Sequence, residues 1–444
     1  MPADGPSRPY VRRNFKLGVI NGSFWLLAKA LTDPDTILPA FAVALMGDNP
    51  LYVGLLVSLV NAGWFWPPLL MTSVMATRER RHPYYQLSAL FRVASLVAAW
   101  AAAYYLAADY PLVAFLAIGF SYLVFTSGGG VGLIPFMSVV TDSIPPDRRG
   151  KFFAMRFFFG GLMAFAAGFW VRWLLGDDSG FSFPHDYAYL FAVAAIVAVV
   201  SLFSWWGAEE PRHKVETRAL SLRMQLLRGL RRLRTRPGFL RLIASRLMMS
   251  MSYGLVVPFL VPYAYRNLGM AEAMVGIALA SRVLFYSMSN ILWSRLSARY
   301  GNRFLLMVSG ATSVCGIMLV LSTPLLPEVH LGTLLGLEFD LRLAVLMLVF
   351  GAVGAADSGQ NTGQSTYLLE YTPERTRPVY LATYYLFAFP LAFMPVVTAI
   401  LIGGDGRYLL AFTIGAAAAL LNVGLYSSLT RLRGDAAAEE APVS

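Results

Sequence analysis

Long apolar runs, each about the length of a bilayer crossing, alternate along the whole chain with short polar segments. A helix rises 1.5 Å per residue, so roughly 20 mostly apolar residues cross the hydrocarbon core. Runs of this kind fall at residues 17–46, 50–76, 83–107, 111–141, 149–176, 184–207, 239–266, 271–295, 302–325, 340–369, 376–402 and 406–430. In lipid every backbone N–H and C=O needs a partner within the protein, and the alternating ten-residue segments of a barrel do not occur in this sequence. The pattern therefore predicts an all-α membrane protein with twelve transmembrane helices. One run is interrupted: Asp33-Pro34-Asp35 lies inside the first.

The pattern also repeats. Met46-Gly47 followed by Val53-Gly54-Leu55 returns as Leu268-Gly269 followed by Val275-Gly276-Ile277, at an offset of 222. Pro145-Pro146-Asp147-Arg148-Arg149 returns as Thr372-Pro373-Glu374-Arg375-Thr376, at an offset of 227. Two halves on one plan indicate duplication, and six runs per half make the expected architecture two pseudo-symmetric six-helix bundles. The expected boundaries are a cytoplasmic N-terminus at 1–16, a first bundle at 17–207, a basic linker at 208–238, a second bundle at 239–430 and a cytoplasmic tail at 431–444. Within the linker, Leu220, Leu227 and Leu230 recur at helical spacing among Arg218, Arg223, Arg228, Arg231 and Arg232. This reads as a basic amphipathic helix on the inner leaflet, or as a solvated linker obeying the charge rule for membrane loops.

Composition agrees with lipid as the solvent. Charged residues make up 14% and hydrophobic ones 57%, whereas soluble domains carry about 25% charged residues. The net charge of +11 is distributed by side. Alternate loops, starting with the N-terminus, hold 26 Lys and Arg, and the opposite loops hold only Arg172, Arg266, Arg342 and Arg407. Basic residues stay on the cytoplasmic side, so both termini are expected there. Without the long linker the count is still 17 against 4. Spread over seven loops, these charges suit the lipid bilayer's anionic headgroups and not nucleic acid. Arg outnumbers Lys 32 to 4, the usage of a GC-rich bacterial genome, which makes the cytoplasmic (inner) membrane the expected location. The first run is too long for a secretion signal and has no small-residue cleavage site.

Enzyme chemistry finds no foothold. Cys315 is the single cysteine, and His82, His185, His213 and His330 fall between the runs or at the edge of one, without metal-ligand spacing. No G-x-S-x-G elbow or G-x-x-x-x-G-K-[ST] phosphate loop occurs. No metal, no cofactor and no ATP-driven cycle are expected.

Two six-run halves, a basic central loop and charged turns after the second, fourth, eighth and tenth runs together resemble the major facilitator superfamily of transporters, over roughly residues 15–430. The most specific element is Trp293-Ser294-Arg295-Leu296-Ser297-Ala298-Arg299-Tyr300-Gly301-Asn302-Arg303. It is similar to that family's G-x-L-x-D-R-x-G-R-R turn at Arg299, Gly301 and Arg303, with Ala298 in place of the acid. The corresponding first-half turn, Ala76 to His82, keeps charges at Arg78 and Arg81 but lacks the Gly and the Asp. The turns Asp142 to Arg156 and Glu370 to Tyr380 are similar to the family's cytoplasmic joints. The resemblance thus implies gating or loop roles for Arg78, Arg81, Asp142, Arg148, Arg149, Arg299, Gly301, Arg303, Glu370 and Arg375, and plain topology explains the same charges. The fifth run has Gly160, Gly161 and Gly168 but no Gly-Pro pair, so the antiporter signature of the family's drug exporters is missing.

Ionisable groups at bilayer depth need a partner, a wet cavity or a function. By position within the runs, the deepest are Lys29, Asp33, Asp35, Arg282 and Asp357. Lys29 and Asp33 are four apart on one helix face and form either a self-neutralising pair or a coupling-ion or substrate site. Pro34 loosens the helix between the two acids. Asp357 heads a polar stripe with Gln360, Asn361 and Gln364, among Gly354, Gly359 and Gly363. The resemblance places the tenth helix around a central cavity, and the stripe lines that cavity or a helix contact. Arg282 has Asp357 or an anionic substrate group as its counter-ion. Arg92 and Arg246 are gate or cavity groups, and Arg156 and Arg241 are surface anchors. The glycines of Ser127 to Gly132 suit close helix packing.

The expected protein is a monomeric secondary active transporter that moves a small organic solute, with a proton as coupling ion. A multidrug/proton efflux pump and a lipid-handling, sensing or assembly protein of the same fold are the alternatives.

Overall fold

The computed structural model describes residues 8–76, 78–210, 222–334, 337–372 and 377–431. In the first half α1 (Arg8–Leu31), α2 (Ile37–Met46), α3 (Pro50–Ala76), α4 (His82–Tyr105), α5 (Pro111–Ser143), α6 (Pro146–Leu174) and α7 (His185–Trp206) follow one another. α8 (Leu222–Thr235) lies in the expected linker. The second half contains α9 (Pro237–Val256), α10 (Leu260–Leu268), α11 (Met274–Tyr300), α12 (Asn302–Ser322), α13 (Leu341–Tyr371), α14 (Arg377–Ala388), α15 (Met394–Ile402) and α16 (Tyr408–Ser427). Proline stands in the first turn of α4, α5, α6 and α9, where its missing N–H has no helical partner to lose.

Ten helical segments among the described residues are long and apolar enough to cross a membrane, with Pro237–Leu268 and Val379–Ile402 each taken as one. They bear out the all-α membrane fold, and their number is ten where twelve was expected. The first expected crossing is realised as α1 and α2, separated at Thr32 to Thr36, because Pro34 disfavours helical geometry at Asp33 and cannot donate a helical hydrogen bond. A short antiparallel hairpin, β1 (His330–Leu334) with β2 (Leu337–Asp340), fills the loop between α12 and α13 and was not expected from the apolar pattern. Its end is fixed by Asp340, whose carboxylate caps α13 by accepting from the Leu343 amide at 2.7 Å.

The chain divides into two compact units: Met1–Leu222 with Ala271–Ala280, and Arg223–Met270 with Ser281–Ser444. In the first, α1 packs on α6 and α7, and α5 packs on α3 and α4. Its aromatic core gathers Tyr85, Phe136, Phe152 and Trp205. The glycine run of α5 gives close packing: a Cβ at Gly129 would meet the Trp64 ring at 2.7 Å and one at Gly130 would meet Pro67 at 2.9 Å. In the second unit α12 packs on α13 and α16, and α9 on α16, around Phe239, Leu306, Tyr367, Tyr380, Tyr384 and Tyr426. Many large apolar side chains face outward, among them Phe158, Ile196, Ile400 and Leu421, as suits helices solvated by lipid.

Two breaks carry the internal repeat into three dimensions. α9 and α10 are separated by a 3-10 turn at Val257–Phe259, 222 residues after the α1–α2 break region. α2 ends at Gly47 with φ 74°, and α10 ends at Gly269 with φ 63°. Both positions need the left-handed conformation that glycine adopts without steric cost.

Candidate functional site

In the second unit the polar stripe of α13 divides between two sets of neighbours. Asp357 turns toward α11, where Arg282 Nη2 lies 3.7 Å from Asp357 Oδ2. Both side chains are largely buried, at 7% and 15% exposure. The separation exceeds a direct hydrogen bond, so the pair is held by charge, worth about 4 kcal/mol at the effective dielectric of such sites. Asn361 steadies the acid by donating Nδ2 to Asp357 Oδ1 and, at 3.0 Å, to the Asp357 carbonyl. Two helices must approach closely for this: a Cβ at Gly354 would lie 2.1 Å from the Arg282 carbonyl oxygen.

Gln360 and Gln364 turn the other way, toward α14 and α16. Gln364 Nε2 donates to Tyr426 Oη at 2.9 Å, and its Oε1 accepts from Tyr384 Oη. Gln360 Oε1 accepts from Tyr426 Oη at 3.1 Å and from Asn422 Nδ2 at 3.2 Å. All five residues are buried, so the network satisfies groups that would be costly alone in an apolar interior. Asn422 Oδ1 and Ser358 Oγ remain without a partner. A cavity of about 30 Å³, lined by Ser252, Tyr253, Asp357, Gln360 and Asn422 among others, adjoins both sets. That is room for about one water beside the Asp357 carboxylate.

At one end of this unit Ser297 Oγ donates to Asn302 Oδ1 at 2.7 Å, and Asn302 Nδ2 donates to Glu370 Oε1 at 2.7 Å. Gly301 starts α12 at φ 85°, and Arg303 donates to the Ser427 carbonyl at the end of α16. Arg299 lies over the Tyr300 ring at 5.2 Å. These residues border a pocket of about 640 Å³ that also meets Tyr367 and Arg431. Arg375 lies outside the described residues. Arg246 lies over the Tyr384 ring at 5.7 Å, and Arg241 donates to the Ser428 carbonyl at 3.0 Å.

In the first unit Asp33 and Asp35 are buried at the α1–α2 break, and the Thr36 hydroxyl donates to Asp33 Oδ2 at 2.9 Å. Lys29 is exposed, and among the described residues no ion pair joins it to Asp33. Arg78 and Arg148 are exposed and Asp142 is half-buried. Arg149 secures the end of α5, donating Nε to the Ile144 carbonyl at 2.9 Å and Nη2 to the Thr141 carbonyl at 2.6 Å. Arg81 and His82 donate their backbone amides to the Glu210 carboxylate at 2.9 to 3.0 Å, so an acid from beyond α7 caps α4. Arg156 is turned inward, donating to the Gly18 carbonyl at 2.6 Å and lying over the Phe136 and Phe152 rings. It is thus a packing group and not the surface anchor expected of it.

Sequence reasoning passed over Tyr384, Asn422, Tyr426 and Glu210. Asn422 and Tyr426 stand four apart on α16, a polar face on an otherwise apolar helix, and that spacing was the available signal. Glu210 offered no such signal, since its partners lie 128 residues away.

The model for the Major Facilitator Superfamily matches residues 242–442. The fold is similar to those of the D-xylose–proton symporter (TM-score 0.68, 14% identity, covering 96% of this chain and 99% of that one) and the nucleoside transporter NupG (0.67, 13%, 94% and 100%). It is also similar to a bacterial homologue of the iron transporter ferroportin in its inward-facing state (0.66, 12%, 92% and 98%). At these identities the likeness is one of fold. No curated protein matches in sequence. The family match and the fold agree with the motif residues Arg299, Gly301 and Arg303: residues 242–442 match the major facilitator superfamily, and the chain as a whole shares the fold of these transporters.

Proposed function

We propose that this protein is a secondary active transporter that moves a small organic solute by alternating access, with a proton as its coupling ion. Twelve spans, both termini in the cytoplasm and residence in a bacterial cytoplasmic membrane complete the reading. The observation that carries it is the buried Arg282–Asp357 pair beside a cavity large enough for water. Ionised, Asp357 is held by Arg282; protonated, it loses that attraction and leaves Arg282 to a second anion or to solvent. Proton uptake and rearrangement of α11 against α13 are then one event, which is what coupling requires. Asp33, buried where the first helix breaks, is the second candidate proton carrier, because a broken helix exposes carbonyls and a helix start together.

The test uses proteoliposomes with an imposed inward proton gradient and a trapped pH dye. Added D-xylose, uridine and a panel of amino acids and organic acids are scored for solute-dependent proton flux. A solute that moves protons with the wild type, and moves none or moves downhill only with Asp357→Asn, meets the expectation. Gradient-driven flux that survives both Asp357→Asn and Asp33→Asn rules out proton coupling through these groups.

A further inference from the structure

The first unit contains a buried cation that its surroundings do not neutralise. Arg92 of α4 is 5% exposed, and its Nε and Nη2 are enclosed without a hydrogen-bond partner. Among the described residues it has no acidic partner. Its guanidinium carbon lies 4.1 Å from the centre of the Trp25 ring on α1 and 4.9 Å from that of Phe125 on α5. Its stem is pressed against α5, since a Cβ at Gly128 would meet Arg92 Cγ at 2.6 Å. The side chain is therefore held in place, its guanidinium against two rings that pack on each other with centroids 5.6 Å apart.

A guanidinium presents its N–H donors as a planar fork, the arrangement that meets a carboxylate with two parallel hydrogen bonds. Ring contact compensates part of the charge but supplies no acceptor for those donors. The neighbouring polar groups do not supply one to them either. Asn21 donates to Tyr85 Oη at 3.1 Å and to the Ser201 carbonyl at 2.8 Å, and Tyr85 lies within electrostatic reach of both Arg92 and Arg156. Arg156 is committed to the Gly18 carbonyl. The cluster is thus cationic, with donors to spare and an apolar, aromatic wall.

We propose that Arg92 binds the carboxylate of an organic monoanion, with Trp25 and Phe125 against the anion's apolar body. This deepens the transporter reading and rests on it, because it names the class of solute. A monocarboxylate suits one free guanidinium and an aromatic wall; a phosphate dianion would leave a charge unmatched. The cation is then retained for its ligand, at a cost to the empty protein.

The test is thermal unfolding of the full-length protein in detergent micelles at fixed chloride, with benzoate, phenylacetate, lactate and gluconate as probes. Benzamide, phenylacetamide and inorganic phosphate are the counter-probes. At least one carboxylate is expected to raise Tm by on the order of 5 °C near a hundredfold excess over its Kd, and its amide is not. Arg92→Met is expected to abolish that shift and to raise the ligand-free Tm, by about 2–4 °C, by removing an uncompensated cation while keeping the stem's packing. Arg92→Lys should fold and bind more weakly, lacking the planar fork. The proposal is overturned if no carboxylate stabilises the wild type beyond its amide, if phosphate alone does so, if Arg92→Met keeps the shift, or if Arg92→Met lowers the ligand-free Tm. Proton-driven flux of a neutral solute alongside any of these results leaves transport standing and removes only the anion site.

Discussion

At the scale of single residues, the charges on α11 and α13 have to be judged as a pair. Removing one partner of a buried ion pair strands the other, which costs about 3–5 kcal/mol, whereas removing both leaves no charge to strand. Arg282→Met is therefore expected to lower the unfolding temperature strongly, and Arg282→Met with Asp357→Asn to recover most of the loss. A thermal double-mutant cycle checks this, and additive effects would mean the two charges do not interact. A different carboxyl governs pH dependence outside the spans. Glu272 lies half-buried in the turn between α10 and α11, where burial and then the charge of Asp186 push its carboxyl above the ordinary value of 4.5. The folded protein then keeps a proton that the unfolded chain has already released. The contribution of Glu272 to stability is greatest below about 4.5 and declines as pH rises toward the folded value. Tm measured across pH 4 to 8 should fall less steeply in Glu272→Gln than in the wild type.

At the scale of elements, two kinds of glycine predict two kinds of damage. Gly47 and Gly269 need positive φ but have open space around them, so alanine there costs about 1 kcal/mol each through backbone strain. Gly354 has ordinary helical geometry but no space, with the Arg282 carbonyl where its Cβ would be. Gly354→Ala must push α11 from α13 and is expected to cost more, on the order of 1–3 kcal/mol, and to weaken the Arg282–Asp357 pair with it. Denaturation profiles of the three variants separate the cases; equal losses would show that the close approach is unimportant. These elements also mark what the sequence could tell. The apolar runs and the spacing of Gly47 and Gly269 announced helices and their duplication, since a span's length and a helix's end are local properties. Asp357, Gln360 and Gln364 were legible as a stripe for the same reason. Their partners Tyr384, Asn422 and Tyr426 are set by packing between helices distant in sequence. Lys29 shows the limit from the other side: four-residue spacing puts it on the face of Asp33, yet the helix breaks just before the acid and the lysine is exposed.

At the scale of the whole molecule, orientation in the membrane is a matter of charge. The loops on one side hold 26 Lys and Arg against four on the other, and each basic residue that must be translocated opposes insertion the wrong way round. The hairpin between α12 and α13 belongs to the poor side, and the α3–α4 turn with Arg78, Arg80 and Arg81 belongs to the rich side. Cys315 is exposed on α12 and would itself react, so the test begins from Cys315→Ser. A single cysteine is then placed at Thr333 in β1 or at Arg80, both exposed positions. In intact cells a membrane-impermeant maleimide should label Thr333→Cys and spare Arg80→Cys until the membrane is opened. The reverse pattern would invert the proposed orientation, and labelling of both in sealed cells would mean that the chain inserts both ways. An inverted chain would present the Glu370 and Arg303 end of the second unit to the outside, where the basic loops would lose the anionic inner leaflet that favours them. Correct labelling thus fixes at once the side on which the termini lie and the side from which the pocket beside Arg299 is reached.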